Sequence, residues 1–130
     1  MRMRLGVIAL AGFAIGLSMP AGAGTLENSL SKLGPEERAR QVCAIRGVMD
    51  IRKSKKLPSV DRVQASTADP AAFDGSVVTA TSGAVRSKDR WYALNFTCAV
   101  TPDQMKVVSF AYKVGAEIPE EKWEDLGLWR

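Results

Sequence analysis

The chain has 130 residues, 18 basic against 14 acidic, with two cysteines, three tryptophans and no histidine. The missing histidine excludes Ser-His-Asp triads, Cys-His nucleophiles and most zinc sites. No glycine-rich loop is present to cradle a phosphate, so the sequence assigns no catalytic, cofactor-binding or metal-ligating residue.

Arg2 and Arg4 precede an uncharged apolar run from Leu5 to Leu17, and Pro20-Ala21-Gly22-Ala23 supplies small residues in the order a signal peptidase prefers. A run of roughly 13 residues is shorter than the ~20 needed to cross a bilayer. Residues 1–23 are therefore expected to be a cleaved secretory signal. Residues 24–130 then form a single periplasmic or secreted domain with no transmembrane anchor. Loss of Arg2 and Arg4 leaves 16 basic residues against 14 acidic, a net charge of +2 that gives no reason to expect nucleic acid. Two cysteines in an exported chain read as one disulfide, Cys43 to Cys98.

Thr25 to Leu33 reads as a short helical or irregular segment, with Leu26, Leu30 and Leu33 on one helical side. Gly34-Pro35-Glu36-Glu37 then starts the long helix: proline suits the first helical position, and the glutamates meet the positive end of the dipole. Ala39, Val42, Cys43, Arg46 and Met49 line the side expected against the sheet, flanked by Ile45 and Val48. Gly47 costs a helix interior about 1 kcal/mol relative to alanine, so either a close approach requires it or the helix weakens there. Arg52, Lys53, Lys55 and Lys56 end the helix before Leu57-Pro58. They read as a solvated end that complements the dipole, with contact to an anionic surface as the alternative.

Val60 to Thr67 reads as a strand with Val63, Ala65 and Thr67 on one side, and Ala68 to Gly75 as a loop built on Asp69-Pro70 and Asp74-Gly75. Ser76 to Ser82 is a strand, Gly83 a bulge or bend leading into Ala84 to Ser87, and Lys88-Asp89 a turn. The next two runs have period two: Tyr92, Leu94, Phe96, Cys98 and Val100, then Val108, Phe110, Tyr112 and Val114. The break from Thr101 to Met105 makes them an antiparallel hairpin with one apolar face. Cys98 lies on that face and Cys43 on the helix stripe, so their bond would tie helix to sheet.

The opposite face carries Trp91, Ala93, Asn95 and Thr97, joined by Val107, Ser109, Ala111 and Lys113. A tryptophan at the edge of a bed of small residues could hold a peptide strand or stack on a sugar, which makes Trp91, Asn95, Arg90 and Lys113 a candidate binding face. The other reading is that the C-terminal tail folds over it through Trp123, Leu126 and Trp129. That tail starts a short helix at Ile118-Pro119-Glu120-Glu121 and is capped at Gly127 before Leu128-Trp129. The expected fold class is α+β, with a long N-terminal helix packed on an antiparallel sheet of about four strands and a short C-terminal helix.

Taken in order, several short runs resemble Domain of Unknown Function 930: Pro35-Glu36-Glu37-Arg38 with Gln41 and Cys43, Pro58 to Val63, Arg90-Trp91-Tyr92 with Thr97-Cys98, Lys106-Val107 through Gly115, and Glu117-Ile118-Pro119 before Trp123. This is a family of small exported proteins found mainly in alphaproteobacteria. The resemblance implies an envelope or periplasmic setting and a paired cysteine, and lends no activity and no catalytic residues. Carboxylate chemistry stays open through Glu120, Glu121, Glu124 and Asp125, although they crowd one helix start. Asp61, Asp69, Asp74, Asp89 and Asp103 stand at turns or strand starts, where aspartate is ordinary. The expectation is a noncatalytic binding or structural module that contacts an envelope protein or glycan; the alternative is a small carboxylate-dependent hydrolase or lyase.

Overall fold

In the computed structural model the described residues are 21–130, with side chains from Gly24 onward. The expected secretory signal lies outside them apart from the backbone of its last three residues. The elements in chain order are α1 (Ala21–Ser31), α2 (Pro35–Ser54), β1 (Val60–Gln64), β2 (Ala72–Phe73), β3 (Val77–Ser87), β4 (Arg90–Val100), β5 (Val107–Glu117) and a 3-10 turn (Glu120–Lys122). All strand pairing is antiparallel. The sheet runs β1-β3-β4-β5, and β2 joins β3 beside Val78 and Thr79. The class is therefore α+β, with two corrections to the expected plan. The sheet has five strands rather than about four, and the 20-residue helix is the second element, preceded by α1.

Pro35 opens α2 with Glu36 and Glu37 in its first turn, and Lys55 ends it in the left-handed region at φ 63°. Its buried stripe is Ala39, Cys43, Gly47 and Ile51 with Val42. This corrects the expected face. Met49 is 58% exposed, and Arg46 pairs with Asp50 at 3.0 Å. The cause is Gly47: a Cβ there would sit 3.0 Å from Phe110 Cζ and 3.3 Å from Val63 Cγ2. The sheet enters the space that a side chain would fill, so the helix rests on a residue with no hydropathy signal and Met49 turns outward. The glycine marks a close approach, and the helix continues through it.

Side-chain latches fix both ends of α2. Arg38 donates to the carbonyls of Leu30 at 2.9 Å and Asp103 at 3.0 Å and to Gln104 Oε1 at 3.0 Å, joining α1, α2 and the β4–β5 turn. Arg52 donates to the Val60 carbonyl at 3.0 and 2.6 Å, holding the helix end to the start of β1. Between the latches, Cys43 is bonded to Cys98, with Cα atoms 6.1 Å apart. Both cysteines lie in a core with Ile51, Val60, Val63, Val78, Val85, Leu94 and Phe96.

Three strands depart from strict alternation, each at a bulge. In β1 the pairing shifts between Val60 and Arg62, so Val60 and Val63, three apart, are both buried. In β3 the shift falls between Ala80 and Gly83, as expected at that glycine. Against β5 the pairing shifts twice, between Tyr92 and Leu94 and, at the start of β5, between Ala99 and Val100. The second shift places Val107 against the core and leaves Val108 64% exposed, the reverse of the expected sides. Lys88 and Asp89 make the β3–β4 turn, both with positive φ, the twist that two-residue hairpins prefer.

Candidate functional site: the outer face of the sheet

The side of the sheet away from α2 is divided in two. At one end the C-terminal tail folds over it, so Trp91, proposed above as an exposed site residue, is 0% exposed. It lies in a second apolar cluster with Ala84, Trp123 and Leu128, onto which Ile118 and Leu126 pack. The expected short C-terminal helix is here only a 3-10 turn followed by further turns. Gly127, at φ +72°, lets the Leu128 N–H reach the Trp123 carbonyl at 2.8 Å and its own N–H the Glu124 carbonyl at 3.2 Å. That pair of bonds reverses the chain and lays Leu128 into the cluster.

The indole N–H of Trp91 donates to the Trp129 carbonyl at 2.7 Å, and the two rings meet edge to face with centroids 5.5 Å apart. Arginines flank the rings: Arg62 lies 5.3 Å from the Trp129 centroid, Arg86 5.9 Å from Trp91 and Arg130 5.8 Å from Trp123. Sequence reasoning missed this layering, because nothing local in Arg62 points to Trp129, 67 positions away.

The other end of the face is open. Thr79, Thr81, Asn95, Thr97, Ala111 and Lys113 are exposed and line a shallow depression of about 310 Å³. A smaller one of about 140 Å³ adjoins it through Asn95 and Lys113. With its amide nitrogen turned inward, Asn95 donates to the carbonyls of Thr81 at 2.9 Å and Leu94 at 3.2 Å, which fixes the side chain on the shelf. Of the four expected site residues, the structure brings Asn95 and Lys113 together and removes Trp91. Arg90 stands apart at the start of β4, paired with Glu117 at 3.6 Å. Thr79 and Thr81 complete the shelf. Their signal was alternation with Val78 and Ala80 in β3.

The carboxylates do not converge on this shelf. Glu120 is paired with Arg130, and Glu121, Glu124 and Asp125 are exposed on the terminal turns. Three aspartates have lowered pKa values. Hydrogen bonds from Arg86 hold Asp61 down, backbone N–H groups of Ser76 and Val77 hold Asp74, and the Thr101 hydroxyl and Met105 N–H hold Asp103. Of the four cations ending α2, Lys53, Lys55 and Lys56 are exposed, while the Arg52 guanidinium is committed to Val60. Among the described residues, no group of three or more metal-type ligands comes together, and no helix is long and apolar enough to cross a membrane.

Fold and site together define a small disulfide-linked domain with one helix laid across an antiparallel sheet and a half-open outer face. The family model Domain of Unknown Function (DUF930) matches residues 30–128, and the chain belongs to that family. No curated protein and no solved structure matches it.

Proposed function

We propose that this chain is an exported, noncatalytic binding or structural module of the cell envelope, and that the shelf formed by Thr79, Thr81, Asn95, Thr97 and Lys113 contacts an envelope protein or glycan. The observation that carries this reading is the shelf itself: hydroxyls, one side-chain amide and one ammonium exposed together on a shallow strand surface. Such groups suit hydroxyl-rich or backbone-like partners. The disulfide supports an oxidising compartment, and hence the periplasmic or secreted address. The carboxylate alternative would need two carboxyls converging in a cleft, one with a raised pKa. Contact of Lys53, Lys55 and Lys56 with an anionic surface is a secondary contribution on this reading.

The test places a photo-cross-linking residue at Thr97 in the native envelope, with a control at Lys53 on α2, alongside amide shifts recorded with solubilised peptidoglycan fragments. Adducts specific to Thr97, or saturable shifts centred on Thr79, Asn95 and Lys113, are expected. Equal labelling at both positions together with no shifts overturns the reading. Mass spectrometry of the exported chain should show Gly24 as its first residue; an intact Met1 refutes the export step.

A further inference from the structure

The sheet has a second unfinished boundary, on the opposite flank from Asn95 and Lys113. β1 is an edge strand whose only strand partner is β3. The Val60 carbonyl is taken by Arg52, but past it the outer side of β1 faces two adjoining cavities instead of another strand. One, of about 340 Å³, reaches Glu37, Arg40, Gln64 and Ser66. The other, of about 200 Å³, reaches Ile45, Val48 and Asp61. Gln41, Ala44, Arg62 and Val63 line both, so the two form one groove between the side of α2 and the open edge of β1. A helix beside an unpaired strand edge gives an extended chain backbone partners on one side and side-chain room on the other.

The charges in the groove select the occupant. Glu37 accepts from Gln41 at 3.2 Å and lies 3.9 Å from Arg40; Arg40 also holds Glu36 at 2.8 Å and the Ala71 carbonyl; Asp61 is held by Arg86 at 2.8 Å. Arg62 is held more loosely. Its guanidinium lies over the Trp129 ring and its charge helps to lower the pKa of Asp61, but among the described residues it donates no hydrogen bond. One cation with no hydrogen-bonded carboxylate therefore stands at the rim of an apolar floor of Ala44, Ile45, Val48 and Val63.

We propose that this groove takes an extended segment of a partner protein as an added strand on β1, with an apolar side chain on that floor and a carboxylate at Arg62. The site lies away from the outer-face shelf, so it stands or falls independently of the function proposed above. The test uses isotope-labelled protein and the blocked pentapeptide Thr-Val-Glu-Val-Thr, its lysine analogue, and a version N-methylated at alternate amides. Saturable shifts are expected at residues 61–66 and at Gln41, Ala44 and Ile45. Affinity should fall at least about tenfold with lysine and be lost on N-methylation. Arg62→Gln should erase the preference for glutamate over lysine, and Ala44→Gln, which narrows the groove without touching Trp129, should weaken both peptides. Absence of saturable shifts, shifts on the free edge of β5 or on the Thr79 and Asn95 shelf, or undiminished binding of the N-methylated peptide overturns the proposal.

Discussion

Replacing Trp91 with alanine tests whether the tail is an integral part of the fold. The indole is fully buried, so truncation should cost about 3–5 kcal/mol, as for large aromatic residues in cores. Within that figure, the edge-to-face contact with Trp129 contributes about 1 kcal/mol, and the hydrogen bond to the Trp129 carbonyl about another 1 kcal/mol. Trp91→Phe keeps most of the ring and loses the donor, so it should cost only about 1–2 kcal/mol. Urea unfolding followed by circular dichroism reads both changes, with the m-value unchanged. In a domain of this size the alanine variant should lower Tm by about 15–30 °C. A double-mutant cycle with Trp129→Ala should return a coupling of about 1 kcal/mol. A loss below about 1 kcal/mol for Trp91→Ala, or strict additivity in the cycle, would refute the claim that the tail is packed as described.

Cys98→Ser opens a crosslink spanning 55 residues and should remove about 4 kcal/mol on the chain-entropy estimate; free thiols titrating in the folded, unreduced protein would contradict the bond. Gly47→Ala should lower stability by about 1–3 kcal/mol despite alanine's better helix propensity, because the new methyl meets Phe110, whose ring is stacked between Phe96 and Tyr112. Pairing it with Phe110→Leu should recover part of the loss, and a Gly47→Ala variant more stable than the parent would show that the approach is not close. Asp61 has a folded pKa below its ordinary 3.8 because Arg86 hydrogen-bonds its charged form. Its contribution is therefore fully present above about pH 4 and is lost as pH falls through the lowered value. Asp61→Asn should flatten the acid limb of an unfolding-midpoint profile below that pH and leave the neutral region's slope unchanged; an unaltered acid limb sinks the assignment.

What was legible in the chain was whatever announces itself locally. Pro35-Glu36-Glu37 marked the start of α2, Lys88-Asp89 the hairpin turn and Gly83 a bulge, and the inward run Leu94, Phe96, Cys98 and Val100 kept its period of two. What was hidden has physical reasons. The α2 stripe runs through Gly47, which carries no hydropathy, so Met49 looked like the better core residue. The bulges in β1 and at the start of β5 moved Val60 and Val107 into phases that alternation denies them. β2 is two residues inside a stretch rich in turn chemistry. At the site, Asn95 and Lys113 were found by parity alone. The burial of Trp91 depended on where the tail lands, and both outcomes are compatible with the same periodicity.

The Cys43–Cys98 bond also bears on the order in which the molecule assembles. β3, β4 and β5 are joined by short reversals, at Lys88-Asp89 and residues 101–106, whereas α2 reaches β4 only by closing a span of 55 residues. Short closures cost less entropy, and hairpins form within microseconds, so the three-strand meander is expected to form before the helix docks. In that order of assembly one sulfur would ride on a bare sheet face and the other on a detached helix. Oxidation therefore acts as a clock for docking: the moment at which the thiols become refractory to alkylation timestamps the closure of the two layers.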